Sequence, residues 1–150
     1  MIGHRAMTLL FAVSLAAMVS ADAGAQPKPL DYEFYKARVE PIFLKKKDGY
    51  TRCVVCHAES NNFMKLEALP HGAKTWTDEQ SRRNYETVVK LVSPGQPMVS
   101  RLLIHPLAPE GGGDVFHSGG RQFMSIKDPD WKAMADWVNG ATLGGRSKKN

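Results

Sequence analysis

The 150-residue sequence predicts an all-α fold, on three observations. Apolar side chains recur at helical spacing near both ends of the chain, each stretch carrying a helix-start or helix-stop signal. The cysteines, Cys53 and Cys56, fall in one Cys53-Val54-Val55-Cys56-His57 motif whose flanks lack strand-like alternation. In that motif Cys53 and His57 are four residues apart, so a helix places them on one face with Cys56 beside them.

From Asp31, the residues Tyr32, Phe34, Tyr35, Val39 and Phe43 form a stripe close to helical spacing, interrupted by Pro41. A first helix is therefore expected, ending or kinking near Glu40. The basic run Lys45-Lys46-Lys47 reads as a solvated loop leading to the cysteine motif, which opens a short helix. Residues Asn61 to Trp76 show no clean period and contain Pro70 and Gly72, and they read as loop. Thr77-Asp78-Glu79-Gln80 fits a capping box for a helix reaching about Val92 and burying Tyr85, Val88, Val89 and Val92. Ser93-Pro94-Gly95-Gln96-Pro97 turns the chain, and a short helix from Val99 to about His105 turns Leu102 and Leu103 inward before Pro106 stops it. Residues Ala108 to Phe123 make a glycine-dense loop. In the last helix Asp128 is the N-cap, Pro129 the first helical position, and Trp131, Met134, Ala135 and Val138 the buried stripe. Gly140 then acts as the stop, and the aromatic first and last helices are expected to pack together.

The N-terminus has the three parts of a secretory signal over residues 1–25: His4 and Arg5, the apolar run Ala6 to Val19, and Ala23-Gly24-Ala25 as a cleavage site. An uncleaved anchor is the alternative. The run is short for a membrane span, which needs about 20 residues. Cleavage leaves 26–150 as one domain with a basic tail at about 143–150, exported or periplasmic and without a transmembrane span. The formal charge of +5 survives because Arg5 and Asp22 leave together, and it suits partners with acidic docking surfaces. An exported chain without a recognition motif is a poor nucleic-acid binder.

Cys-x-x-Cys-His is the spacing at which haem is attached covalently to a c-type cytochrome. Each thiol adds to a vinyl group of the haem, and the adjacent His57 imidazole ligates the iron. The cofactor expected is one haem c held through Cys53 and Cys56. A thioredoxin-like pair or a disulfide would use the same cysteines, but the βαβ pattern of the former is missing. A structural zinc site wants four protein ligands. It would have to recruit two of His57, His71, His105 and His117, none of which has the usual spacing.

The chain resembles the class I cytochromes c, and more narrowly the planctomycete-type cytochrome c domain. The likeness lies in Val39-Glu40-Pro41-Ile42-Phe43, the CVVCH motif, Pro94-Gly95-Gln96-Pro97 with Ser100 and Leu102-Leu103, and Trp137-Val138-Asn139-Gly140-Ala141. It spans about residues 31 to 142, and it implies a cytochrome c-like small helical domain wrapped around one covalently attached haem. Many relatives carry a Met-Pro before the last helix, where Met supplies the second axial ligand; none occurs here. In its place His117-Ser118-Gly119-Gly120-Arg121-Gln122-Phe123 is similar to a His-Gly-Gly variant of the family.

For the distal position His117 stands first, since it lies in that loop and its glycine neighbours allow close approach to a flat macrocycle. Met124 follows, then Met98 and His105. His71 has only its residue type in its favour, and a vacant sixth position is the remaining option. Histidine rather than methionine ligation lowers the reduction potential. The leading functional expectation is an electron-transfer protein, or such a subunit of a respiratory or photosynthetic assembly or a haem array. One alternative is a haem peroxidase or gas sensor with an open sixth site, against which the distal loop offers only His117, Arg121 and Gln122 and no evident acid–base set. The other is a zinc-binding structural module.

Overall fold

In the computed structural model, which describes residues 29–145, helix is the only regular secondary structure among the described residues; the β-type pairing is confined to three isolated bridges. The all-α expectation agrees with this. The expected signal segment, residues 1–25, and the tail cations Arg146, Lys148 and Lys149 lie outside the described residues. No described helix is long and apolar enough to cross a membrane.

The first helix, α1, spans residues 32–44. Asp31 caps it by accepting from the Phe34 amide at 2.6 Å. Pro41 does not end it, and the expected irregularity near Glu40 takes the form of a change in helix type. The helix widens into a π-turn over Tyr35–Val39, closed by the Glu40 amide donating to the Tyr35 carbonyl, and continues as Glu40–Leu44 with Pro41 in its first turn. Proline has no N–H to give to the preceding turn, and a π-bulge relieves that conflict locally. This register buries Tyr35, Val39, Glu40, Ile42 and Phe43 together.

Helix α2, Cys53–Glu59, carries the cysteine motif and buries Val54. Residues 61–76 are irregular, as expected, yet Leu66 and Trp76 enter the core, with the Trp76 indole donating to the Glu67 carbonyl at 2.8 Å. Helix α3, Asp78–Val88, begins at a complete Thr77–Gln80 capping box and tightens into a 3₁₀ turn over Val89–Leu91. Its buried face is more polar than the apolar pattern indicates. Ser81 and Asn84 are fully buried beside Val88, whereas Tyr85, Val89 and Val92 are only partly covered. The reason is hydrogen bonding: Ser81 donates to Glu40 at 2.8 Å, and Asn84 accepts from the Glu67 amide at 2.8 Å.

A 3₁₀ turn at Pro97–Val99 leads into α4, Arg101–Ile104, which buries Leu102 and Leu103. Buried Ser100 ties the preceding turn by donating to the Gln96 carbonyl at 2.8 Å, and the Gly95 amide anchors that turn to the Val138 carbonyl at 2.7 Å. A 3₁₀ turn at Pro109–Gly111 follows within the glycine-rich loop.

Helix α5, Pro129–Val138, has the expected Asp128 cap and buries Trp131, Met134, Ala135, Trp137 and Val138. It closes with the Gly140 amide on Trp137 and the Ala141 amide on Asp136, Gly140 having φ +84°. The expected pairing of first and last helices is present. The Trp137 ring lies 5.4 Å from Tyr35, and its indole donates to the Asp31 carbonyl at 2.8 Å.

Glu40 is buried at the join of α1 and α3, with Oε1 bonded to Ser81 and no partner for Oε2 among the described residues. Burial raises its carboxyl pKa, opposed by the Ser81 hydrogen bond. Below its unfolded-state pKa the group is protonated in both states and costs nothing; stability falls as pH rises through the raised folded value. Glu40→Gln should therefore raise the melting temperature at pH 8 and leave it nearly unchanged at pH 4. Circular-dichroism melts at the two pH values check this, and an equal shift at both contradicts it.

Candidate functional site

A cavity of about 230 Å³ opens between α1, α2, α4, α5 and the glycine-rich loop. Ile42 and Phe43 of α1, Leu102 of α4, Phe123 of the glycine-rich loop and Met134 of α5 give it apolar walls. Its mouth lies where lining residues Arg52, Phe63, Arg101 and Ser118 are exposed. Cys53, Cys56 and His57 line one side because α2 turns Val54 to the core and the motif face to the cavity.

His117 lines the other side. Its ring and that of His57 have centroids 6.3 Å apart and planes within 19° of parallel. Two imidazoles ligating one metal from opposite sides, with metal–nitrogen bonds of about 2.0–2.1 Å, place their centroids about 6 Å apart. Each ring also has its Nδ1–H spoken for. His57 Nδ1 donates to Met64 O and Asn62 Oδ1, both at 3.0 Å, while His117 Nδ1 donates to Gly120 O at 2.6 Å. These acceptors fix the tautomer and leave Nε2 with the free lone pair in both residues, the usual arrangement behind a metal-ligating histidine. Burial lowers the pKa of the His117 imidazole, against the opposing pull of the Gly120 hydrogen bond, which favours its neutral form.

Local backbone chemistry makes this geometry. A β-turn from His117 to Gly120, closed by the Gly120 amide on His117 O at 2.9 Å, needs φ +81° at Gly120, a conformation glycine adopts freely. At Gly119 a Cβ would stand 3.1 Å from His117 Cε1, so the missing side chain makes room for the ring itself. Buried Gln122 ties the loop down by donating to Thr51 O at 3.1 Å and Gly119 O at 3.0 Å. Lys47 reaches Gln122 O at 3.0 Å and lies over the Phe123 ring, and it shares Asp130 with Lys45. Two of the three lysines expected as a free basic run are thus bound to the start of α5.

Of the other residues expected as ligands, His105 shares the cavity and the rest lie outside it. His105 lines the cavity and packs its ring edge on His117 at 4.9 Å and 75°, with Nδ1 donating to Asp114 at 2.7 Å. Met124 and Met98 do not line it; Met124 is exposed beside Tyr50, and Met98 is exposed near Gly112. His71 is exposed outside it. Of the distal polar groups, Gln122 is committed to backbone, and exposed Arg121 reaches only Val115 O.

Cys53 and Cys56 are both free thiols, and burial pushes the Cys53 thiol up to about 11. A nucleophilic redox dithiol has the opposite signature, a lowered thiol pKa. Among the described residues no group of three or more His, Cys, Asp and Glu converges as a metal cluster. A four-ligand zinc centre would need one.

Asn62, the Met64 carbonyl and the His105–Asp114 pair were not foreseen in these roles. Spacing alone does not reveal them, because each acts through a loop conformation. No family model, curated protein or solved structure matches the chain.

Gly113 packs so tightly on Leu107 that a Cβ would fall 2.0 Å from the Leu107 carbonyl oxygen. Gly113→Ala should therefore destabilise the fold by about 1–3 kcal/mol, as overpacking does, and expose the 105–121 loop to proteolysis. Denaturant unfolding with limited proteolysis measures both, and a variant as stable as wild type contradicts the packing.

Proposed function

We propose that this chain is an exported monohaem c-type cytochrome, acting as an electron-transfer protein or as such a subunit of a larger redox assembly. The observation that carries the reading is the pair of near-parallel imidazoles facing each other across the cavity at 6.3 Å, one of them belonging to Cys-x-x-Cys-His. A porphyrin supplies four metal donors of its own, so two protein ligands suffice where a bare ion would need more. The donor set fits that requirement. Cys53 and Cys56 would tether the group, His57 would be the proximal ligand and His117 the distal one. Arg52 and Arg101 at the mouth have no carboxylate partner among the described residues, and they suit its two propionates.

When bound, the group supplies one-electron chemistry by cycling its iron between ferric and ferrous states. The protein's contribution is to hold both imidazoles, exclude water with Phe43, Leu102, Phe123 and Met134, and set the potential. Two histidine ligands would place that potential below a methionine-ligated counterpart. The signal segment and the charge of +5 support an exported carrier that meets acidic redox partners transiently. The planctomycete-type resemblance points the same way.

One observation favours a second reading. The His105–Asp114 pair beside His117 is an acid–base set of the kind that peroxide chemistry or ligand sensing uses, and it would act once the distal position opened. Carbon monoxide separates the two. The reduced protein should bind it poorly, whereas His117→Ala should bind it rapidly and fully, as followed by the change in visible absorption. Full, rapid binding by the wild type favours the sensor or enzyme, and an unchanged six-coordinate spectrum in His117→Ala contradicts the distal assignment.

A further inference from the structure

His117 is fixed at three places, and only two belong to its own turn. Its Nδ1–H is held by Gly120 O at 2.6 Å, and Gly119 leaves room at its Cε1 side. Those contacts set where the ring sits. The third contact, the edge of His105 at 4.9 Å and 75°, bears on the direction its plane takes.

His105 is itself held firmly. It caps the end of α4, with its amide on Arg101 O at 3.2 Å, and it donates from Nδ1 to Asp114 at 2.7 Å. Asp114 is anchored by its own amide to Ile104 O at 3.0 Å. Gly113 brings the loop against Leu107 closely enough for that bond. On the opposite side Asn62 and the Met64 carbonyl fix the His57 plane independently. The outcome is two imidazole planes within 19° of each other.

We propose that His105, held by Asp114, is a positioning residue that sets the His117 ring plane near-parallel to that of His57. The inference rests on the two histidines being the axial ligands. Its consequence is electronic. An imidazole donates π density into one of two iron d orbitals; parallel rings load the same orbital and separate the pair, whereas crossed rings load both and leave them nearly equal. The ring planes are therefore one of the levers by which a protein tunes its haem.

Electron paramagnetic resonance of the ferric holoprotein reads this angle. The wild type should give a resolved rhombic low-spin spectrum. His105→Ala should move the low-field feature to larger g with loss of the rhombic pattern, and Asp114→Asn should move it the same way by less. His105→Phe, which keeps an aromatic ring but cannot bond Asp114, should move it by less than His105→Ala. A wild type showing the strongly anisotropic spectrum overturns the proposal, as does a His105→Ala spectrum identical to wild type or equal shifts in the Ala and Phe variants. If His105→Ala gives no stable holoprotein, an unshifted Asp114→Asn spectrum overturns it. Failure of the underlying ligation is distinguishable, because His117→Ala would then keep its low-spin signal.

Discussion

Two imidazoles 6.3 Å apart, each pinned at Nδ1 and free at Nε2, are the constraint around which the rest of this molecule is organised. They come from opposite halves of the described chain: one from α2, one from the glycine-rich loop that precedes α5. Holding them in register requires α1 and α5 to be fixed to each other, since α1 packs on α2 and α5 follows the distal loop. The Tyr35–Trp137 contact and the Trp137–Asp31 hydrogen bond do that. Lys47, bound to Gln122 and to the carboxylates at the start of α5, joins the lead-in of one histidine to the loop of the other.

The same geometry separates chemical readings that share their residue types. A thiol pair working as a redox couple needs an accessible, acidic cysteine, and Cys53 is only half-exposed with its thiol pushed the other way. A zinc centre needs converging protein ligands in number, and among the described residues no group of three or more His, Cys, Asp and Glu converges. The proposed planar tetradentate group would suit a site with two near-parallel imidazoles, two thiols and two exposed arginines along its lining. His105 and Asp114 complicate that picture usefully. They sit where an acid–base pair would sit, yet their contacts run to the back of His117 and to the end of α4, which makes them supports as much as reagents.

Much of the helical framework is legible in the sequence because its signals are local. The Thr77 capping box, the Asp128 cap with Pro129, and the Gly140 stop each depend on residues within a turn of one another. What is not legible depends on distant partners. Pro41 reads as a helix end, and only the packing of Tyr35 against Trp137 and of Phe43 against the cavity makes a π-turn the better solution. Ser81 and Asn84 look like surface positions until Glu40 and the Glu67 amide supply their hydrogen bonds. Within the site, the motif and the His-Gly-Gly turn stand out by spacing. Spacing does not exclude Met124 and Met98 as ligands; their exposure outside the cavity does, and it follows from the folded chain.

The account depends on a tetrapyrrole joined by covalent bonds to Cys53 and Cys56. Intact-mass spectrometry of the exported protein under denaturing conditions, after expression in a host competent for cytochrome c maturation, tests this most directly. The account predicts the mass of the polypeptide plus one haem, lost in the Cys53→Ser, Cys56→Ser double variant. A polypeptide mass alone, from the same host and compartment, would contradict it.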